Sequence, residues 1–201
     1  VTRIAIVKYG VGNIYSVRAG LERQGASPVV VSSLEEAARS NTDALILPGV
    51  GAYPAASRRI LRERDRLLDL IEQGVPVLGI CLGMQLFFEE SEEGGKGLGL
   101  LRGRVERLEA PKLPHIGWTR IRITGESELL EGVPDNTYMY FVHSYAYKDT
   151  EAPWVRAVAS YGEDFAAVVE EPPLYGTQFH PERSGRHGSR VLRNFVRLVR
   201  R

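Results

Sequence analysis

The 201-residue chain is long enough to bury one sizeable core, and its 43% apolar and 25% charged residues are ordinary for a soluble globular protein. A formal net charge of +1 gives no electrostatic case for nucleic acid or a membrane surface, no apolar run reaches the length of a bilayer span, and a single cysteine rules out an internal disulfide and fits a reducing compartment. The expectation is a cytoplasmic protein built as one domain over residues 1–201, whose opening Val1–Val7 is too short and wrongly flanked for a signal peptide.

Ile4 to Val7 is a continuous apolar run, as expected of a strand covered on both faces. Tyr9-Gly10-Val11-Gly12-Asn13 follows as a loop, Asn13 offers a helix N-cap, and Ile14, Val17 and Leu21 share one helical face before Gly25. These glycines do not complete a dinucleotide fingerprint, because Tyr15 holds the place of its third glycine. Val29 to Val31 reads as a second strand, Ser33 as the cap of a short helix to Arg39, and Ala44 to Leu47 as a third strand. That strand runs into Pro48-Gly49-Val50-Gly51, either a plain loop or one whose glycines let backbone N–H groups turn toward a ligand. Residues 55–73 read as one helix with Ile60, Leu61, Leu67, Leu68, Leu70 and Ile71 on its apolar face, closed by Gly74.

Next comes Val75-Pro76-Val77-Leu78-Gly79-Ile80-Cys81-Leu82-Gly83-Met84-Gln85, an apolar run ending in Gly-x-Cys-x-Gly and passing into a helical pattern. Such a turn lifts a nucleophile from a strand end to a helix N-terminus, where the dipole favours a thiolate. The pentapeptide alone leaves open a buried cysteine packed as a small hydrophobe. The charged, glycine-rich Glu89 to Gly97 reads as a solvated loop. Beyond Leu100, strands are expected at 105–108, 119–123, 138–142, 155–160, 166–169 and 174–178 without long helices between them, then a closing helix from Arg186 to Arg201. The β-α-β-α order predicts an α/β fold. Its doubly wound, mostly parallel sheet is flanked by helices and gains antiparallel strands in the C-terminal half. Ligands of such sheets lie beyond the strand C-terminal ends, the edge where Asn13, Gly49 to Gly51 and Cys81 gather.

A cysteine nucleophile needs a base, and the base an orienting group. Of the four histidines, only His180 has a carboxylate at fixed short range, in Gln178-Phe179-His180-Pro181-Glu182, where Pro181 restricts the turn; taken alone, the segment reads more simply as a surface His-Pro turn with a solvated glutamate. His143, in Tyr140-Phe141-Val142-His143-Ser144-Tyr145, is the rival base, but its aromatic flanks suit a packed residue better.

Three motifs in this order, Pro48 to Gly51, Gly79 to Gln85 and Gln178 to Glu182, resemble those of the class I (triad) glutamine amidotransferases over nearly the whole chain. Within that family, Tyr9 to Asn13, Phe88 to Glu93, Pro114-His115-Ile116-Gly117-Trp118, Tyr140 to Tyr145 and Pro181 to Gly185 are most similar to the glutaminase subunits of imidazole glycerol phosphate synthases. Thr119 and Arg183 depart from that branch, which often has Asn and Lys there, and both positions would face its partner. The resemblance implies hydrolysis of L-glutamine with Cys81 as nucleophile, His180 as base and Glu182 as its orienting group. It implies oxyanion donors from Gly49, Val50, Gly51 and Leu82, and a substrate site drawing on Gln85, Glu93, His143, Ser144 and Tyr145. No metal or other cofactor is implied. The partner would be a (β/α)8-barrel cyclase in a heterodimer, met through Asn13, Trp118, Tyr140 and Arg183, to which ammonia is passed.

Overall fold

In the computed structural model, which describes residues 1–9, 14–49 and 51–201, the N-terminal half alternates strands and helices. Its elements are β1 (Arg3–Val7), α1 (Tyr15–Arg23), β2 (Ser27–Val31), α2 (Leu34–Arg39), β3 (Ala44–Leu47), α3 (Tyr53–Leu61), α4 (Arg64–Glu72), β4 (Val77–Ile80) and α5 (Leu82–Gln85). The second half is mostly strand: β5 (Glu90–Ser91), β6 (Arg104–Arg107), β7 (His115–Ile123), β8 (Thr137–His143), β9 (Tyr145–Tyr147), β10 (Val155–Tyr161), β11 (Glu163–Glu171) and β12 (Leu174–Thr177). A 3-10 turn at Pro181–Arg183 leads into the closing helix α6 (Gly185–Val199).

Nine strands form one sheet in the order β2-β1-β3-β4-β12-β11-β10-β7-β8. The pairs β2-β1, β1-β3, β3-β4 and β4-β12 are parallel, and every pair from β12 to β8 is antiparallel. The expected doubly wound sheet with an antiparallel extension is therefore the fold. The apolar runs are continuous because both faces are covered. Along β1, Ile4 and Ile6 join a core with Val17 and Leu21 of α1 and Leu192 and Phe195 of α6, while Ala5 and Val7 join the opposite core. Leu34, Tyr53, Ile60, Leu67 and Leu70, from α2, α3 and α4, fill that second layer.

The predicted cap of α2 forms as read: Ser33 Oγ accepts the Glu36 N–H at 3.1 Å. The single helix expected over 55–73 is instead two. It breaks at Glu63, whose N–H returns to the Ile60 carbonyl at 3.0 Å and whose carboxylate accepts the Leu34 N–H at the start of α2. An orphan N–H at a neighbouring helix N-terminus holds that carboxylate better than water does, and local periodicity cannot report it. The run Glu89 to Gly97, expected to be mostly a solvated loop, is mostly exposed but contains a strand. β5 lies within it, pairs with β6, and Glu90 bridges back to Lys96, so that Ser91 and Gly97 are buried. β6, β5 and β9 make a small second sheet, and β9 was not expected at all. β7 begins at His115, four residues before the predicted strand, with His115 and Ile121 buried on one face and Ile116 and Trp118 exposed on the other.

Candidate active site

The parallel register sets Thr177 of β12 beside Ile80 of β4, so the two chains leave the sheet at the same edge one residue later. Cys81 follows β4 and His180 follows β12. Cys81 has φ 53° and ψ −107°, a left-handed conformation that costs a non-glycine residue about 1–3 kcal/mol and here projects the sulfur above the sheet edge. The flanking glycines are required by crowding. A Cβ on Gly83 would lie 1.9 Å from the Leu47 carbonyl oxygen, and one on Gly79 would lie 2.6 Å from the Gly83 carbonyl carbon. A Cβ on Gly49 would lie 2.0 Å from the Ile80 oxygen and 2.6 Å from Cys81 Cβ, so the loop after β3 sits directly on the elbow. The Tyr9 hydroxyl donates to the Pro48 carbonyl and holds that loop from beneath. Burial, with the Cys81 charge added, raises the Tyr9 pKa and keeps it a neutral donor.

Cys81 is buried and donates from Sγ to the Val142 carbonyl at 3.6 Å. His180 Nδ1 lies 3.3 Å from Glu182 Oε2, which as a carboxylate oxygen accepts the Nδ1 proton and leaves Nε2 for the sulfur. Burial by itself would lower the His180 pKa, but the Cys81 sulfur and the Glu182 carboxylate outweigh it and raise the value to about 10. The neighbouring sulfur and carboxylate thus favour the protonated imidazole. Glu182 Oε1 is buried with no hydrogen-bond partner among the described residues. Cys81, His180 and Glu182 share a cavity of about 280 Å³ with Pro48, Gly49, Gly51, Val142 and Arg183. No side chain caps the N-terminus of α5, which starts directly after Cys81.

Gln85 is buried and both its amide protons are engaged, by the Tyr145 carbonyl at 2.9 Å and Gln178 Oε1 at 3.2 Å, so only its Oε1 remains for a ligand. Glu93 accepts the Tyr53 N–H at 2.6 Å, at the start of α3, and does not line the Cys81 cavity. His143 cannot serve as a base. Burial, with smaller effects from His115 and His180, lowers its pKa to about 3, and its ring bonds to His115 at 2.9 Å and the Tyr145 carbonyl at 3.0 Å. Ser144 is half-buried, and its carbonyl accepts the Leu108 N–H at 2.9 Å. Trp118 is 53% exposed and packs edge-on against Tyr140. Thr119, expected to face a partner, turns its hydroxyl inward to His115 Nε2 at 2.7 Å. Arg183 is exposed at the cavity rim. Asn13 and Val50 lie outside the described residues.

One residue was missed as a site member. Gln178 is fully buried and donates from Nε2 to Cys81 Sγ at 3.5 Å. Its position two residues before His180, at a strand end where alternate residues share a face, was the available signal. Among the described residues no cluster of His, Cys, Asp and Glu has the makings of a metal site, and no helix is long and apolar enough to cross a membrane.

A model of the glutamine amidotransferase class-I family matches residues 5–199. The chain is 47% identical to the imidazole glycerol phosphate synthase subunit HisH of Geobacillus thermodenitrificans, over 98% of this chain and 97% of that protein. It is 46% identical to the subunit of the same name from Archaeoglobus fulgidus, over 98% of this chain and all 100% of that one. Among solved structures, PurLQS from Thermotoga maritima superposes with a TM-score of 0.78 at 19% identity, covering 98% of each chain, and a structure described as a glutamine amidotransferase with 0.76 at 19% identity, covering 98% and 99%. With the family model spanning almost every element that builds the Cys81 edge, the chain belongs to the class-I glutamine amidotransferases.

Proposed function

We propose that this chain is the glutaminase subunit of an imidazole glycerol phosphate synthase in histidine biosynthesis, working as one amidotransferase domain on L-glutamine through Cys81, His180 and Glu182. The observation that carries the chemistry is the shared edge of β4 and β12, where Cys81 and the Glu182-anchored His180 meet in one buried cavity. The likeness to the two subunits above carries the pathway.

The Cys81 thiolate attacks the side-chain amide carbon of glutamine, and the carbonyl oxygen becomes an oxyanion. The donors we assign to it are the backbone N–H of Leu82 and N–H groups of the loop after β3, where Gly49 packs on the elbow too closely for a Cβ. His180 gives its proton to the departing nitrogen, the C–N bond breaks, and ammonia leaves a thioester on Cys81. Water, deprotonated by His180, then cleaves the thioester to glutamate and restores the thiol. Glu182 holds the imidazole in the Nδ1–H tautomer and stabilises its charged form. Gln85 Oε1 is an acceptor suited to the substrate's ammonium group, and Glu93, held at the start of α3 outside the cavity lining, is assigned as its charge partner from the family resemblance alone.

Ammonia released into water would be protonated and lost as a nucleophile, so its acceptor belongs on a docked partner. A (β/α)8-barrel cyclase in a heterodimer fits that need. The exposed Ile116, Trp118 and Tyr138 form an apolar face on β7 and β8 that suits such docking. Glutamine hydrolysis measured with and without the cyclase and its nucleotide ligand tests this reading. Turnover should rise with the partner and vanish in Cys81→Ala; retained turnover in that variant would refute the mechanism, and no response to the cyclase would refute the partner.

A further inference from the structure

A continuous hydrogen-bond chain runs through the molecule from β7 to the Cys81 sulfur. Thr119 Oγ1 lies 2.7 Å from His115 Nε2, His115 Nδ1 lies 2.9 Å from His143 Nε2, and His143 Nδ1 lies 3.0 Å from the Tyr145 carbonyl oxygen. That same oxygen accepts from Gln85 Nε2 at 2.9 Å, Gln85 Nε2 also donates to Gln178 Oε1 at 3.2 Å, and Gln178 Nε2 reaches Cys81 Sγ at 3.5 Å. His115, His143, Gln85 and Gln178 are all buried, so no water competes along most of the path.

The direction of every bond follows by elimination. A carbonyl oxygen only accepts, so His143 Nδ1 carries a proton. Burial lowers both histidine pKa values, to about 3 for His143 and about 4 for His115, so each ring is neutral and has one acceptor nitrogen. His143 Nε2 therefore accepts from His115 Nδ1–H, and His115 Nε2 accepts from the Thr119 hydroxyl. On the other side of Tyr145, Gln85 must place its NH₂ between two oxygens, and its donation to Gln178 Oε1 turns the Gln178 NH₂ toward the sulfur.

We propose that Thr119, His115 and His143 are positioning residues for Cys81: their relay holds the Tyr145 carbonyl in place, and Gln85, donating both to that carbonyl and to Gln178 Oε1, in turn holds a Gln178 N–H on the sulfur. An N–H facing the sulfur favours the thiolate, whereas a flipped carboxamide would set an oxygen lone pair against it. The relay's far end lies on β7, on the strand whose opposite face carries the exposed Ile116 and Trp118, so the orientation of Gln178 is joined to the apolar docking face by a single strand. The titratable and charged groups around Cys81 are His180 beyond β12, held by Glu182, Tyr9 beyond β1 and Arg183 at the cavity rim; none belongs to the relay, and its His143 meets them only through the charge of His180.

The inference rests on Cys81 being the nucleophile, but its test needs no turnover. Cys81 is the only cysteine, so the pH profile of iodoacetamide alkylation reads one thiol. Thr119→Val removes the donating hydroxyl at nearly constant volume, and Thr119→Ser keeps it. Alkylation at neutral pH should slow about threefold or more in the valine variant, with its profile moved to higher pH, while the serine variant follows the wild type. Identical profiles for the valine variant and the wild type overturn the proposal. Imidazole ¹⁵N spectra of the wild-type chain give an arm independent of any substitution. His115 and His143 should both appear as neutral Nδ1–H tautomers, and either ring found as Nε2–H overturns it. Loss of glutamine hydrolysis in Cys81→Ala tests the glutaminase reading separately.

Discussion

The backbone N–H of His180 donates to the carbonyl of Tyr140 at 3.0 Å, tying the residue beyond β12 to the outermost strand of the sheet. Ser184 doubles the tie: its Oγ accepts the Tyr140 N–H at 2.9 Å and donates to the His180 carbonyl at 2.6 Å. β8 is thus both the edge that presents Tyr138 and Tyr140 and the strut that holds the imidazole over Cys81.

Removing the strut's hydroxyl should separate orientation from chemistry. Ser184 is buried, and Ser184→Ala leaves the Tyr140 N–H unsatisfied. We expect a loss of about 1–3 kcal/mol in stability by urea unfolding, and a fall in glutaminase kcat of roughly tenfold, because His180 loses a fixed position. A variant with wild-type kcat would show that the Pro181 turn alone orients the ring.

The His180 pKa carries a stability signature. Folding raises it from its ordinary 6.5 to about 10, so the stabilisation is complete below about pH 6.5 and is lost as pH rises through about 10. Unfolding midpoints in urea should fall across that window. In Cys81→Ala, where the sulfur no longer raises the pKa, the fall should be shallower; equal slopes would mean that Cys81 contributes nothing to the shift.

The buried histidine pair acts at the opposite end of the scale. His115 and His143 have pKa values lowered by burial to about 4 and about 3, so their contribution is complete above about pH 6.5 and is lost as pH falls toward those values. Between pH 5 and 6 the unfolded chain should bind about two protons more than the folded chain on their account, measurable from the pH slope of the unfolding free energy. A flat slope there would contradict neutral, buried rings.

Gly83 tests the crowding at the elbow. A methyl group at this position meets the Leu47 carbonyl oxygen at 1.9 Å, and both partners are backbone that cannot step aside cheaply. Gly83→Ala should lower stability by about 3 kcal/mol or more and displace Cys81, abolishing glutaminase activity along with rapid alkylation. A stable, active Gly83→Ala chain would show that the strand-to-helix turn is not held by this contact.

Much of the molecule was determined by the sequence alone, because its causes are local. Continuous apolar runs at Ile4 to Val7, Ala44 to Leu47 and Val77 to Ile80 mark buried parallel strands; Ser33 marks a cap; Gly79 and Gly83 around Cys81 mark a turn that only glycine permits. His180 and Glu182 stood out because the partner lies two residues away and Pro181 limits the turn. What tertiary structure alone decided is how groups distant in the chain share charge and hydrogen bonds. The parallel register of β4 and β12 puts Cys81 beside His180 and raises its pKa. The Glu63 carboxylate reaches the start of α2 and divides a helix whose own periodicity is unbroken. Gln178, Gln85, His143, His115 and Thr119 become one path only when β7, β8, β12 and the elbow are stacked, since, His115 and Thr119 of β7 apart, the bonded side chains come from segments far apart in sequence. Local patterning sets backbone shape through short-range sterics and hydropathy; the protonation and orientation of buried polar groups are set by whichever donor or acceptor packing brings within about 3 Å.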